Sequence, residues 1–153
     1  MSGKAFAFSV LCVCACTGIL LVLTLAQEET GKEETVALPE VKKKGTLSVE
    51  EAIAKRRSVR DYAKGPLTLE QVSQLMWAAQ GTTAGGLRAA PSAGALYPLE
   101  IYLIAGEVTG LDAGLYRYLS SSHKLEKIKA GDQRRDLCRA AISQAAIEEA
   151  PAT

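Results

Sequence analysis

Pro91-Ser92-Ala93-Gly94-Ala95-Leu96-Tyr97-Pro98-Leu99-Glu100 is a run of small residues held between two prolines, and it passes straight into an apolar stretch. Residues 91–95 carry no bulky side chain. Their backbone can therefore donate and accept hydrogen bonds to a flat partner at close range. Taken alone, the run also reads as a flexible surface loop. The flanking prolines and the immediate apolar continuation argue instead for a loop that is held in place.

Upstream lies Arg56-Arg57-Ser58-Val59-Arg60-Asp61-Tyr62, with three guanidiniums and a hydroxyl in five residues. A bound phosphate needs fixed donors, and the planar arginine fork meets two oxygens at once. The segment follows a helix end, where the macrodipole repels anions, so the side chains must supply the attraction themselves. If the segment is extended, Ser58 and Arg60 point the same way. On charge alone, Lys55-Arg56-Arg57 reads equally as a solvated basic turn. A nucleic-acid patch lacks support, because the pI is near neutral and no aromatic residues are interleaved with the basic ones.

The surrounding pattern is mixed helix and strand. Ser48-Val49-Glu50-Glu51 and Thr68-Leu69-Glu70-Gln71 are capping boxes that start two helices. Val72, Leu75, Met76 and Ala79 mark the expected buried face of the second helix, which Gly81 stops. Residues 81–98 form a long loop, and loops of that length inside a compact domain are functional or disordered. Residues 99–105 read as a buried strand. Residues 114–119 and 124–128 read as a hairpin around Ser120-Ser121-Ser122. Asp132 can cap a last helix with Leu137, Ala141, Ile142 and Ala145 on one face, ended by Pro151.

The chain has 153 residues and a formal net charge of +1, which calls for no polyanionic partner. Lys4 precedes an uncharged run, 5–26, closed by Gln27-Glu28-Glu29. That run is long enough to span a bilayer, and its flanks predict the following chain outside the cytoplasm. It is an uncleaved anchor or a signal peptide cleaved after Ala26. Residues 27–46 read as a polar linker, too poor in large apolar residues to fold alone. Residues 47–153 remain as the folded domain. Cys12, Cys14 and Cys16 share the apolar run, so Cys138 has no disulfide partner in that domain and reads as a small buried hydrophobe. No Cys/His spacing suggests a metal. His123, the only histidine, falls in the expected hairpin turn and does not read as a general base.

The two motifs in this order resemble the nitroreductase-like FMN oxidoreductases, and within them the SagB-type dehydrogenase branch. The likeness rests on the arginine segment after the first helix and on residues 91–100 before a core strand. It runs from about Leu47 to the end and includes the helix at Thr68 and Gly114-Leu115-Tyr116-Arg117-Tyr118. The resemblance implies an α+β fold, a mostly antiparallel sheet flanked by helices, here preceded by the N-terminal apolar helix. It implies an intertwined homodimer with FMN at the interface and NAD(P)H as a possible electron donor. Arg56, Arg57 and Ser58 would face the FMN phosphate and ribityl chain. Arg60 would lie near the pyrimidine edge, and Pro91, Ser92, Ala93 and Gly94 would line the ring. No side chain stands out as a catalytic group, since the chemistry is the cofactor's. Domains of this kind continue past the point where this sequence stops, so an incomplete domain is expected. A non-catalytic anchored binding module that has kept the fold and lost the flavin is the competing expectation.

Overall fold

The computed structural model describes residues 34–153. The apolar run 5–26 lies outside them; among the described residues no helix is long and apolar enough to cross a membrane. The centre is a four-stranded antiparallel sheet. It joins β1 (Thr35–Ala37), β3 (Tyr102–Ala105), β5 (Gly114–Leu119) and β6 (Lys124–Ala130) in the order β1-β6-β5-β3. β2 (Leu67–Thr68) and β4 (Val108–Thr109) form a short parallel pair beside it. The helices are α1 (Val49–Lys55), α2 (Leu69–Gln80), α3 (Arg134–Ala140) and α4 (Ala145–Glu149).

Residues 114–119 form a strand whose burial alternates. Gly114, Tyr116 and Tyr118 of β5 turn inward and their neighbours lie half-buried, as the period of two in a strand requires. β5 and β6 form the expected hairpin, with a bulge between Leu115 and Tyr116. The core joins Tyr116, Tyr118, Leu103 and Leu125 of the sheet to Val72 and Met76 of α2. Burying an aliphatic side chain of this size contributes about 1.5–3 kcal/mol, so Leu125 and Val72, both fully buried, are among its main supports.

Both capping boxes form. The Ser48 side chain accepts from the Glu51 N–H at 3.2 Å while the Ser48 N–H donates to the Glu51 carboxylate at 3.0 Å. Thr68 and Gln71 make the same reciprocal pair at 3.3 and 2.8 Å.

Five expectations change. Part of the stretch read as linker is sheet: β1 pairs with β6 through Val36 and Leu125, and Leu38 enters the core. Three or four moderately apolar residues cannot fold alone, but they can complete an edge that is already formed.

The buried face of α2 is Val72, Ser73, Met76 and Gln80, while Leu75 stays exposed. Ser73 turns inward because it is polar-anchored. Its hydroxyl donates to the Pro39 carbonyl at 2.6 Å and meets His123 Nε2 at 2.8 Å. The Tyr118 hydroxyl meets His123 Nδ1 at 2.8 Å. A neutral ring protonated at Nε2 satisfies every member of this network: Ser73 Oγ accepts from Nε2, and Nδ1 accepts from Tyr118.

The strand expected over 99–105 begins only at Tyr102, and Leu99 is exposed. The last helix breaks in two. Ile142 and Ser143 adopt φ of 58° and 55°, Ile142 is 91% exposed, and the turn lets the Cys138 thiol donate to the Gln144 carbonyl at 3.3 Å. Asp132 acts next to the cap position rather than at it: Gln133 is the N-cap, and Asp132 Oδ1 accepts from the Arg134 N–H at 2.9 Å. Cys138 is buried, as expected. Beyond Pro151 the chain pairs with β3, through Ile104 N–H to the Thr153 carbonyl at 2.6 Å and the reverse bond at 2.9 Å.

Candidate functional site

Residues 49–55 form a helix that buries none of its side chains. At Arg56 the backbone turns to φ −58°, ψ 126° and leaves the helix. The Arg57 guanidinium folds back, its Nη1 donating to the carbonyls of Ala54 at 3.1 Å and Arg56 at 2.8 Å. A cation there satisfies end carbonyls that have no partner within the helix. Arg56, Ser58 and Arg60 stand exposed. Among the described residues, none of Arg56, Arg57 and Arg60 pairs with a carboxylate. Ser58 and Arg60 line one cavity of about 420 Å³, with Tyr62 beside them and Ile147 and Ala150 opposite. Val59, between them, borders the same space, so the cavity does not sort these residues by a period of two. Arg56 and Arg57 do not reach that cavity.

The loop 91–98 is held, not slack. The Ala95 N–H donates to the Ser92 carbonyl at 3.1 Å, and the Tyr97 N–H donates to Ser92 Oγ at 3.0 Å. Gly94, Ala95 and Tyr97 lie in the left-handed region, with φ of 61°, 52° and 45°. A Cβ at Gly94 would meet only Leu96, at 3.8 Å. Backbone conformation, not space, therefore favours glycine there. The small residues leave an open face, as the sequence suggests.

A second cavity, of about 330 Å³, lies where this loop enters the sheet. Arg88, Tyr97, Glu100, Arg117 and Ser120 are among its walls. Glu126, buried, takes both Nε and Nη2 of Arg117 at 2.7 Å, and this bond holds the guanidinium pKa up. Burial pushes the Tyr118 phenol up. The Tyr102 phenol is raised first by its hydrogen bond to Glu100 and then by that carboxylate's charge.

The two cavities share no lining residue, and Pro91, Ser92, Ala93 and Gly94 line neither of them. Neither of these two cavities brings the arginine segment and residues 91–94 together. Arg88 and Arg117 were not legible as site residues. Arg88 stands three positions before Pro91, and that adjacency was the one signal available. The partner of Arg117 comes from the neighbouring strand.

An antiparallel sheet flanked by helices, with an arginine-rich segment and a held small-residue loop, defines an α+β protein with two candidate ligand surfaces. A sequence-family model described as "Nitroreductase family" matches residues 53–153. The chain belongs to the nitroreductase family. Members are generally FMN-dependent oxidoreductases and typically homodimers. A candidate nitroreductase of Methanocaldococcus jannaschii is 38% identical over 122 residues, which is 79% of this chain and 60% of that protein. The trifolitoxin-processing protein TfxB of Rhizobium leguminosarum bv. trifolii is 42% identical over 43 residues, 28% of this chain and 12% of that protein. The crystal structure of a candidate nitroreductase from Ralstonia eutropha JMP134 superposes with a TM-score of 0.59 and 33% identity, covering 69% of this chain and 49% of that one. One from Anabaena variabilis ATCC 29413 gives 0.63 and 25%, covering 80% and 26%. The chain therefore spans 60% or less of each of these relatives.

Proposed function

We propose that this protein is an FMN-dependent oxidoreductase of the SagB-type branch, moving hydride or electrons between a reduced donor such as NAD(P)H and a small organic or peptide substrate. The observation that carries the reading is the pairing of Ser58 and Arg60 in one cavity, beside arginines that have no carboxylate partner among the described residues. Exposed guanidiniums left without acids, next to a hydroxyl, fit a phosphate-bearing ligand by the chemistry of their donors. FMN, when bound, supplies the redox chemistry. The chain's own residues bind and orient. Arg56 and Ser58 would hold the phosphate and ribityl chain. Arg57 would join them through the nitrogens it does not commit to the helix carbonyls. Arg60 would place a fixed cation at the pyrimidine edge, where it favours negative charge on the ring without moving a proton. Pro91, Ser92, Ala93 and Gly94 would offer backbone to the ring.

That neither cavity joins the two motifs supports a site completed by a second copy, and so a homodimer. The short match to the trifolitoxin-processing protein supports the branch. The run 5–26 would place the domain outside the cytoplasm, on the outer membrane face or released from it. The purified, desalted protein is expected to be yellow and to release FMN on denaturation. A colourless protein that takes up no added FMN, and whose melting temperature FMN does not raise, would instead be a binding module with this fold and no flavin.

A further inference from the structure

The cavity where the loop 91–98 enters the sheet is electrically lopsided. At one wall Arg117 is neutralised by buried Glu126 at 2.7 Å, and Glu100 lies close enough to add to that balance. At the other wall Arg88, half-buried, has no carboxylate partner among the described residues. Its only hydrogen bond to a described residue is a long one, from Nη1 to the Gln80 carbonyl at 3.4 Å. A guanidinium has five N–H donors in a rigid fork, so most of those of Arg88, which borders the cavity, have no partner among the described residues. Its carbon stands 6.0 Å from the centre of the Tyr97 ring, at the limit of cation–π contact.

Tyr97 is there at a conformational cost. A bulky residue at φ 45° is an outlier, and it is retained by the bond from its N–H to Ser92 Oγ at 3.0 Å. Strained backbone of this kind persists where surrounding structure over-determines it, and it clusters at ligand sites. Leu99 and Ile101 add an apolar wall, and the volume is at the small end of ligand pockets.

We propose that this cavity binds a small planar carboxylate, its carboxyl group on the Arg88 fork and its flat body against Tyr97 and Leu99. Glu100 disfavours a dianion such as a phosphate monoester, so a monoanionic carboxylate is the better match. The proposal concerns a different cavity from the one holding Ser58 and Arg60, and binding here needs no flavin.

The test is a titration of the full chain with para-fluorobenzoate, followed by fluorine NMR without added FMN. Saturable binding is expected, and the neutral para-fluorobenzamide should bind about tenfold more weakly or worse, since a charge-assisted fork is lost. Arg88→Gln should weaken the acid by about tenfold, with the variant's melting curve showing that it folds. Lys124→Gln, on the exposed surface, should not weaken it. No saturable binding, equal affinity for acid and amide, or an equal loss in Lys124→Gln overturns the proposal. So does an Arg88→Gln variant that binds like wild type. If Arg88→Gln does not fold, Arg88→Lys replaces it: it keeps the charge and loses the fork, and unchanged affinity there overturns the proposal.

Discussion

Arg56 and Arg60 are both exposed arginines, yet their surroundings assign them different work. Arg56 sits at the C-cap of α1, its own N–H bonded to the carbonyls of Ala52 and Ile53 at 3.0 and 3.3 Å. Its guanidinium makes no ion pair among the described residues. Arg60 lies in the cavity with Ser58. On the proposed reading, Arg56→Ala weakens FMN binding by roughly 1.5–3 kcal/mol per charge-assisted bond lost. Arg60→Ala mainly lowers the flavin midpoint potential, with a smaller loss of affinity. Fluorescence titration and spectroelectrochemistry separate the two. Equal affinity losses with an unchanged potential would mean that the division of roles is wrong. At this scale the sequence was informative about residue type and spacing. It did not show that the Arg57 fork turns back onto helix carbonyls, which only the folded backbone presents.

At the level of elements, the caps carry local signals that the fold obeys. Thr68→Ala removes one half of the reciprocal pair at the start of α2 and is expected to lower stability by about 1 kcal/mol, as cap losses do. Ser48→Ala should cost less, because α1 buries no side chain and its fraying exposes little. Urea unfolding of the two variants checks both the size and the order. The start of α3 is set by charge. Arg134 bonds both oxygens of Asp132, with Nη2 at 2.7 Å and Nε at 3.1 and 3.0 Å, and these bonds hold the Asp132 carboxyl below the usual aspartate range. A carboxyl depressed by folding stabilises the native state above its unfolded pKa, and that contribution is lost as pH falls through the folded value. Melting temperature should therefore decline on acidification below about pH 4, and Asp132→Asn should flatten part of that decline. An acid limb unchanged in the variant would show that the pair contributes nothing to it.

At the scale of the molecule, the apolar run and the domain make separate demands. The run 5–26 is uncharged, long enough to span, and preceded by Lys4. We expect it to carry the chain to the membrane with Glu28 onward outside the cytoplasm. A reporter active only outside the cytoplasm, fused after Gly45, should be active whether the run is kept or cleaved. A carbonate wash then separates an anchor, which stays in the pellet, from a released product. A soluble cytoplasmic protein that still begins at Met1 would refute both forms. The strand at Thr35–Ala37 adds a constraint. It pairs with β6, so any tether ends before Thr35 and not at the start of α1.

The sequence by itself determined both capped helices, the hairpin of 114–119 with 124–128 and the two motifs, because each rests on local chemistry: a side chain reaching its own backbone, a serine turn between two short runs, a proline-bounded loop; the α+β class followed from the resemblance those motifs carry. Tertiary structure alone decided what depends on residues far apart in the chain. Val36 becomes a strand residue because Leu125 is there to pair with it. Ser73 displaces Leu75 from the buried face because Pro39 and His123 offer it hydrogen bonds. The last helix breaks at Ile142, where the chain turns so that Ala150 can accept from Arg134 Nη1 at 2.7 Å. The candidate site divides in the same way. Its donors are legible as residue types, whereas which of them share a cavity follows from α4 packing beside Arg60 and Tyr97 folding toward Arg88. No spacing along the chain encodes either.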